Sequence, residues 1–243
     1  NVGEDWPLDF IPLATATDAQ SESRSVLAAA ISPEFVSQIQ EQCAQADLKP
    51  KRLILRPFAA ASLLVRRHPQ EQGCRLLVDW LADEVDLTVL IGEHVIFPRT
   101  VRLPAVDDPS QQAQALIREI RRTMAAAQNQ LGGRGVESIV LCGQEEAPPD
   151  EDPDASSTQE RTNRYEVKTQ IEEALSLPVI WLNPLDGFEL DDELLKRRPR
   201  RPGRFAPLCG MVLDEAYGGA HAIDFLHPRK AAPPPNPKRK LAI

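Results

Sequence analysis

The sequence lacks a long apolar run. No stretch of its 243 residues approaches the roughly 20 apolar residues that cross a bilayer as a helix, and no secretory signal peptide opens the chain. We therefore expect contact with a membrane only through a segment downstream of these residues. The chain also begins without Met, so we expect it to be a piece of a longer polypeptide.

Metal-ligand spacing is missing as well. The histidines lie far apart and the cysteines are few and scattered, at His68, His94, His221, His227, Cys43, Cys74, Cys142 and Cys209. Structural zinc sites need closely spaced Cys or His pairs, so we expect no bound metal. Isolated cysteines favour free, buried thiols in a reducing compartment over a disulfide framework.

Motifs for nucleotide and acyl-transfer chemistry are absent too. There is no Walker loop, no G-x-G-x-x-G and no G-x-S-x-G, and the glycines from Gly132 to Gly135 follow a predicted helix and precede a predicted strand. A phosphate cradle needs the opposite order. The net charge of −8 argues against nucleic-acid binding, and 42% hydrophobic content suffices for one large core or two modest ones.

The most informative stretch present is Arg75 to Arg102. Three short apolar runs, Leu76–Val78, Val85–Ile91 and Val95–Val101, are separated by an acidic turn from Asp79 to Glu84 and a Gly-Glu turn. This pattern predicts three antiparallel strands in a meander. The acidic turn has two interpretations, a solvated hairpin loop or a phosphate-binding loop.

This stretch resembles the opening of the second domain in actin-like ATPases, most closely the PilM family of type IV pilus assembly proteins, with FtsA and GspL as relatives. Matching positions are Asp79, Asp86, Leu87, Thr88, Gly92, Phe97 and Arg99. Leu81 stands where the family has the Gly that lets backbone amides approach a phosphate, and Val85 where it has Thr or Ser. A Cβ at such a position crowds the ligand.

The resemblance extends to both sides. Residues 1–70 follow a β-β-α-β-α order, with a predicted strand Leu53–Leu55 and the family phrases Ala46–Pro50 and Arg56–Ala59. After the meander come a helix from Pro109 to about Leu131 and a buried strand that ends at Gly143, where the family has two glycines against the adenosine. Here Gln144 replaces the second one.

Two charged segments interrupt the predicted second domain. Residues 144–163 include the run Glu145 to Glu160, which is rich in Pro, Asp, Glu and Ser and predicts a mobile acidic loop. Residues 196–204 form a basic run, interpreted as a solvated loop, with docking to the acidic loop, to an acidic partner or to lipid as alternatives.

The C-terminal phrase Ala222 to Arg229 is similar to the signature that opens PilN-type proteins. The resemblance implies that Ile223, Phe225 and Leu226 bind a groove of an actin-like body, in this chain or in a neighbouring copy. The alternative is a plain final strand of domain two. The Pro-rich, basic residues that follow predict a semi-rigid linker.

Together these observations predict an α/β fold, actin-like and ribonuclease H-like, with mixed sheets flanked by helices. The expected divisions are residues 1–70 as the remainder of domain one, 71–225 as domain two and 226–243 as linker. As the resemblance implies it, the function is a non-catalytic cytoplasmic scaffold at the inner face of the inner membrane, in a type IV pilus or type II secretion platform. Its expected partners are PilN- and PilO-like proteins, with possible self-association.

Two other functions remain open at this point. The first is an active actin-like ATPase that holds ATP and Mg²⁺ through the family positions Asp79, Thr88 and Gly143. Leu81, Val85, Gln144 and the missing first phosphate loop of the family argue against it. The second is a soluble regulatory domain unrelated to pili or secretion.

Overall fold

The computed structural model describes residues 3, 5–13, 25–81, 84–104, 108–143, 158–193, 202–217 and 223–229, and for residues 109 and 158–166 it describes the backbone only. The predicted linker after residue 229, residues 144–157 of the acidic loop and residues 196–201 of the basic run lie outside this part of the chain. The chain forms two compact units. Unit 1 contains Asn1–Pro12, Val26–Ile54 and Ala222–Ile243, and unit 2 contains Leu13–Ser25 and Leu55–His221.

Unit 1 is built on a two-stranded antiparallel sheet. Strand β1 (Leu8–Pro12) pairs with β2 (Val26–Ala30), with Asp9 opposite Ala29. Helix α1 (Pro33–Gln45) follows, and the Ser32 side chain caps it by accepting a hydrogen bond of 3.2 Å from the Phe35 N–H. The predicted strand Leu53–Leu55 is wrong in extent, because only Ile54 forms a bridge, antiparallel to Asp224.

Unit 2 is a five-stranded mixed sheet with helices. The strands are β3 (Cys74–Leu81), β4 (Glu84–Ile91), β5 (His94–Arg102), β6 (Ser138–Cys142) and β7 (Val179–Trp181), in the order β5-β4-β3-β6-β7. The meander β3-β4-β5 is antiparallel, as predicted, whereas β6 pairs in parallel with β3 and β7 with β6. The predicted α/β class is confirmed.

The helices of unit 2 are α2 (Arg56–Arg67), α3 (Pro109–Ala127), α4 (Thr158–Leu175) and α5 (Ala206–Ala216), and a 3-10 turn covers Pro202–Phe205. Two predicted boundaries are wrong. Helix α3 ends before Leu131, and residues 158–163, which we assigned to the acidic loop, belong to α4. Two further stretches differ from the prediction. Pro202–Phe205, which overlaps the predicted basic loop, forms a 3-10 turn, and residues 226–229, predicted as linker, belong to unit 1.

The main core of unit 2 lies on one face of the sheet. Alternate residues of β3 and β4 point into it together with one face of α3, and these include Leu76, Val78, Trp80, Val85, Leu87, Val89, Leu116 and Ile120. Because side chains alternate along a strand, the other residues of β3 and β4 face the opposite side. That second face carries the polar residues described below.

The acidic turn predicted at Asp79 to Glu84 is shorter than expected. Asp79, Trp80 and Leu81 belong to β3, and the ladder continues to the pair Leu81 and Glu84. Only residues 82 and 83, which lie outside the described part, separate the two strands. The sequence misled us here because buried acids within a strand resemble the acids of a solvated turn.

Candidate functional site

The tail segment, residues Ile223 to Arg229, is anchored within unit 1. Asp224 forms the bridge to Ile54, and the Phe225 N–H donates a hydrogen bond of 2.8 Å to the Leu53 carbonyl. Ile223 and Phe225 are buried, at 1% and 4% exposure, and Leu226 is half-buried. The three residues predicted to bind a groove thus lie in one segment that combines backbone pairing with buried apolar side chains. Extended-peptide recognition uses the same combination.

Asp9 holds this segment from the side of β1. Its carboxylate accepts hydrogen bonds from the backbone N–H groups of Asp224 at 2.8 Å, Arg229 at 2.9 Å and Phe10 at 2.9 Å. The Arg229 guanidinium adds a contact of 3.0 Å to Asp9 and one of 3.0 Å to the Phe10 carbonyl. Burial alone would raise the pKa of Asp9, but these donors hold it below its usual range.

Asp224 fixes the tail segment from within. One oxygen of its carboxylate accepts from the N–H groups of Leu53 at 3.2 Å and Leu226 at 3.0 Å. The other oxygen lies 3.3 Å from Arg52 and 3.0 Å from the His227 ring. Burial would raise the pKa of Asp224, but the hydrogen bonds from His227, Leu53, Leu226 and Arg52 lower it. We did not single out Asp9, Arg52, Asp224 or Arg229 from the sequence.

The predicted cofactor positions lie in unit 2. Asp79 on β3 is opposite Asp86 on β4 and Cys142 on β6, and Thr88 is opposite Leu77. Paired residues share a face and so do residues two apart, so Asp79 and Thr88 lie on the same face, away from the main core. Gly143 follows directly after β6. The structure therefore brings all three predicted positions to one region of unit 2.

Arg56 places a positive charge next to the buried carboxylates in this region. The Arg56 guanidinium contacts both oxygens of Asp86, at 2.5 and 3.0 Å, and the Thr100 hydroxyl donates to Asp86 at 2.6 Å. Asp86 is 1% exposed, so this ion pair satisfies a carboxylate that could not stay buried alone. Among the described residues, no group of three or more His, Cys, Asp or Glu side chains is placed to hold a metal ion.

The buried polar residues Asp79, Asp86 and Thr88 form a polar cluster on this face of the sheet. Within it, Asp79 has few hydrogen-bond partners. It is fully buried, the Cys142 thiol donates to one of its oxygens at 3.6 Å, and its second oxygen has no partner among the described residues. Burial and the neighbouring charge of Asp86 raise the pKa of Asp79 to about 7, against the opposing effects of the Cys142 hydrogen bond and of Arg56. The Thr88 hydroxyl, also buried, has no described partner either.

Backbone covers Gly143 closely. A Cβ on Gly143 would lie 1.9 Å from the Trp80 carbonyl oxygen, and its φ of +120° is one that other residues rarely adopt. The 3-10 turn also packs on Gly143. A Cβ on Gly203 of this turn would lie 2.4 Å from the Gly143 nitrogen. Pro202 and Gly203 are buried in this contact region. In this structure Gly143 thus lies in a close backbone contact, and Asp86 lies in an ion pair with Arg56.

Comparison with solved structures shows which fold this is. A chain of a PilM–PilN type IV pilus biogenesis complex superimposes with a TM-score of 0.63 and 22% sequence identity, over 85% of this chain. The chain has the actin-like fold of that pilus protein. It spans 65% of that protein's length. The predicted fold, which rested on the resemblance to the PilM family, is confirmed.

Other solved structures are more distant. An archaeal actin homologue aligns at 10% identity over 70% of this chain and 55% of its own, with a TM-score of 0.39. A protein of Bacteroides thetaiotaomicron with an actin-like ATPase fold and unknown function aligns at 9% identity over 73% and 65%, with a TM-score of 0.38. No protein-family model matches the sequence, and neither does any curated protein.

Within the described residues of this PilM-like fold, no helix is both long and apolar enough to cross a bilayer.

Proposed function

We propose that this chain is a non-catalytic interaction module of an inner-membrane platform of the type IV pilus kind, or of the related type II secretion kind. The observation that carries the proposal is the anchoring of the tail segment in unit 1. It pairs with Leu53 and Ile54, and Asp9 binds it at Asp224 and Arg229. A fold whose solved neighbour is a complex of PilM with PilN is here combined with a PilN-like phrase in the same chain.

The chemistry of the tail segment suits a peptide site. Its backbone N–H groups at Asp224, Phe225 and Arg229 all donate to other parts of unit 1, and the side chains of its apolar residues Ile223 and Phe225 are buried. Because the segment is covalently attached, its effective concentration at the site is high, roughly millimolar for a short connection. Exchange of the same segment onto a neighbouring copy would give self-association through identical contacts.

The residues after Arg229 suit a connection to a membrane-bound partner. Four prolines within residues 233–237 favour an extended chain, and Lys238, Arg239 and Lys240 follow them. Basic residues near a bilayer are attracted to the anionic inner leaflet. In this proposal the body lies at the cytoplasmic face, and PilN- or PilO-like proteins are its partners.

Three features support a body without ATPase activity. Strand pairing up to Leu81 and Glu84 takes the place of a phosphate loop, because amides engaged in a ladder cannot surround a phosphate. Arg56 neutralises Asp86, where an ATPase would need its carboxylates for Mg²⁺. Gly203 packs so closely on Gly143, the family position next to the adenosine, that a Cβ on Gly203 would lie 2.4 Å from the Gly143 nitrogen.

Calorimetric titration of the full chain with ATP and Mg²⁺ tests the non-catalytic part of this proposal. We expect no heat of specific binding, with an active actin-like ATPase as the positive control. Leu81→Gly should bind no better, because removing one side chain does not break the β3–β4 ladder. A micromolar dissociation constant for the unaltered chain would overturn the proposal, and recovery by Leu81→Gly alone would show that the ladder is not the obstacle.

A further inference from the structure

A second site lies in unit 2, away from the polar cluster. The end of α2, the turn after β7 and the last turns of α5 enclose a pocket of about 550 Å³. Two arginines, Arg66 and Arg67, line it together with Phe188 and Tyr217, and Val65 and Leu213 add apolar wall. A pocket of this size with apolar walls and a few convergent polar groups is the usual form of a small-ligand site.

The two arginines differ in what they bind. Arg66 is committed to the protein, since it contacts the buried carboxylate of Asp214 at 2.7 and 2.8 Å and lies 5.4 Å over the Tyr217 ring. Arg67 lies 5.0 Å over the Phe188 ring but forms no hydrogen bond or ion pair with any described residue, and its buried Nε atom has no acceptor. Because the Nε atom is inaccessible, a ligand in the pocket would reach Arg67 at its terminal N–H groups.

The position of Arg67 is nevertheless fixed. Its guanidinium makes a cation–π contact with Phe188, and Gly187, with a φ of +71°, allows the turn to approach so closely that a Cβ there would lie 2.3 Å from Arg67 Nη1. An arginine that is oriented by neighbours and lacks an acceptor is prepared for a planar anion. Its parallel N–H groups match the two oxygens of a carboxylate.

We propose that this pocket binds a carboxylate on an apolar body, with the carboxylate on Arg67 and the apolar body against Phe188, Val65 and Leu213. Charge selects this class of ligand. Asp214 neutralises Arg66, so Arg67 alone can balance an anion, and Glu189 at the pocket wall disfavours a second negative charge. A phosphate ester, with its charge near −2, would suffer that repulsion fully. Peptide C-termini and small organic acids share the favoured chemistry.

Nuclear magnetic resonance of the full chain, labelled with ¹⁵N and with ¹³C in its methyl groups, tests the proposal. The probes are N-acetylphenylalanine, which represents a peptide C-terminus, benzoate, which represents a small acid, the neutral N-acetylphenylalaninamide, and inorganic phosphate. We expect at least one carboxylate to shift the Arg67 Nε–H signal and the methyl signals of Val65 and Leu213, with a dissociation constant of about 1 mM or below. The tighter of the two acids identifies the source. The amide and phosphate should leave these signals unchanged.

Two variants make the test specific. Arg67→Gln should weaken carboxylate binding at least about tenfold, because a charged hydrogen bond is lost. Arg118→Gln, on the exposed side of α3, removes the same net charge and should bind like the unaltered chain. The proposal is wrong if neither acid shifts the pocket signals, if the amide or phosphate binds as well as the acids, or if Arg67→Gln binds like Arg118→Gln.

Discussion

The carboxylate of Asp9 accepts a hydrogen bond of 2.8 Å from the backbone N–H of Asp224, although 215 positions separate the two residues in the chain. One buried acid near the start of the chain thus holds the backbone of a segment near its end. The same carboxylate binds the backbone and the guanidinium of Arg229, so it spans the tail segment from its second to its last residue. We infer that Asp9 holds the tail segment against the rest of unit 1.

Replacing this carboxylate by an amide should release the tail segment. In Asp9→Asn an NH₂ group would face some of the donors that now point at an oxygen, and the ion pair with Arg229 would be lost. We expect unit 1 to lose about 2–3 kcal/mol. Hydrogen exchange at the amides of Asp224 and Phe225 should accelerate, whereas Glu41→Gln, an exposed change on α1, should leave it unaltered. Unchanged protection in Asp9→Asn would contradict the role given to Asp9.

Asp79 should make the stability of unit 2 fall as the pH rises. Its pKa of about 7 in the folded chain lies above the unfolded value near 3.8, so the folded state holds the proton more tightly. The stabilisation is complete below the unfolded pKa and is lost as the pH rises through 7. Asp79→Asn, which cannot ionise, should match the unaltered chain near pH 4 and exceed its stability at pH 8 by roughly 2–4 kcal/mol.

Urea unfolding of both forms from pH 4 to pH 8 measures this difference. Asp86→Asn is the comparison variant, because it removes the neighbouring carboxylate that is paired with Arg56 and whose charge raises the pKa of Asp79. It should destabilise unit 2, because Arg56 would keep only its longer contact of 3.5 Å with Glu84. A constant difference between Asp79→Asn and the unaltered chain over the whole pH range would show that Asp79 does not titrate there.

Close backbone contact and a positive φ together make Gly143 a poorly replaceable glycine of unit 2. Gly143→Ala would drive a Cβ into the Trp80 carbonyl and force a residue other than Gly to a φ of +120°. We expect a loss of about 3 kcal/mol or more in thermal or urea unfolding. Gly135→Ala, where no atom lies within 4 Å of the added Cβ, is the control and should cost little. Equal losses for the two variants would mean that the contact with Trp80 yields easily.

Local signals predicted much of the fold. Ser32 before Pro33 marks the start of α1, and Pro109 marks the start of α3, where Asp108 accepts from the Ser110 N–H at 2.9 Å. These caps depend on residues close in sequence, so they can be read from sequence. The meander was equally readable, since its apolar runs are separated by turns. The actin-like arrangement itself came from the resemblance, which carried the order of these elements.

Contacts between distant residues could not be read in this way. Asp9 looks like the polar member of an alternating strand, and nothing near it indicates that residues 224 and 229 supply its donors. Asp79 looked like an acid of a turn, because a buried acid is costly. The burial of Asp86 could not be read either, because the arginine that satisfies it lies on another element. The predicted strand Leu53–Leu55 was wrong in extent for a related reason, because its only bridge is to a single residue of the tail segment.

The most direct test of the central claim is to separate the tail segment from the body. A chain that ends after Gly219 is titrated with a peptide of residues Ala222 to Arg229, followed by calorimetry or fluorescence anisotropy. We expect a folded, soluble body that binds this peptide in the micromolar range. It should bind a peptide carrying Asp224→Ala at least about tenfold more weakly, because the contacts to Leu53 and Arg52 are lost. An insoluble truncated chain, or a folded one that ignores the peptide, would contradict it.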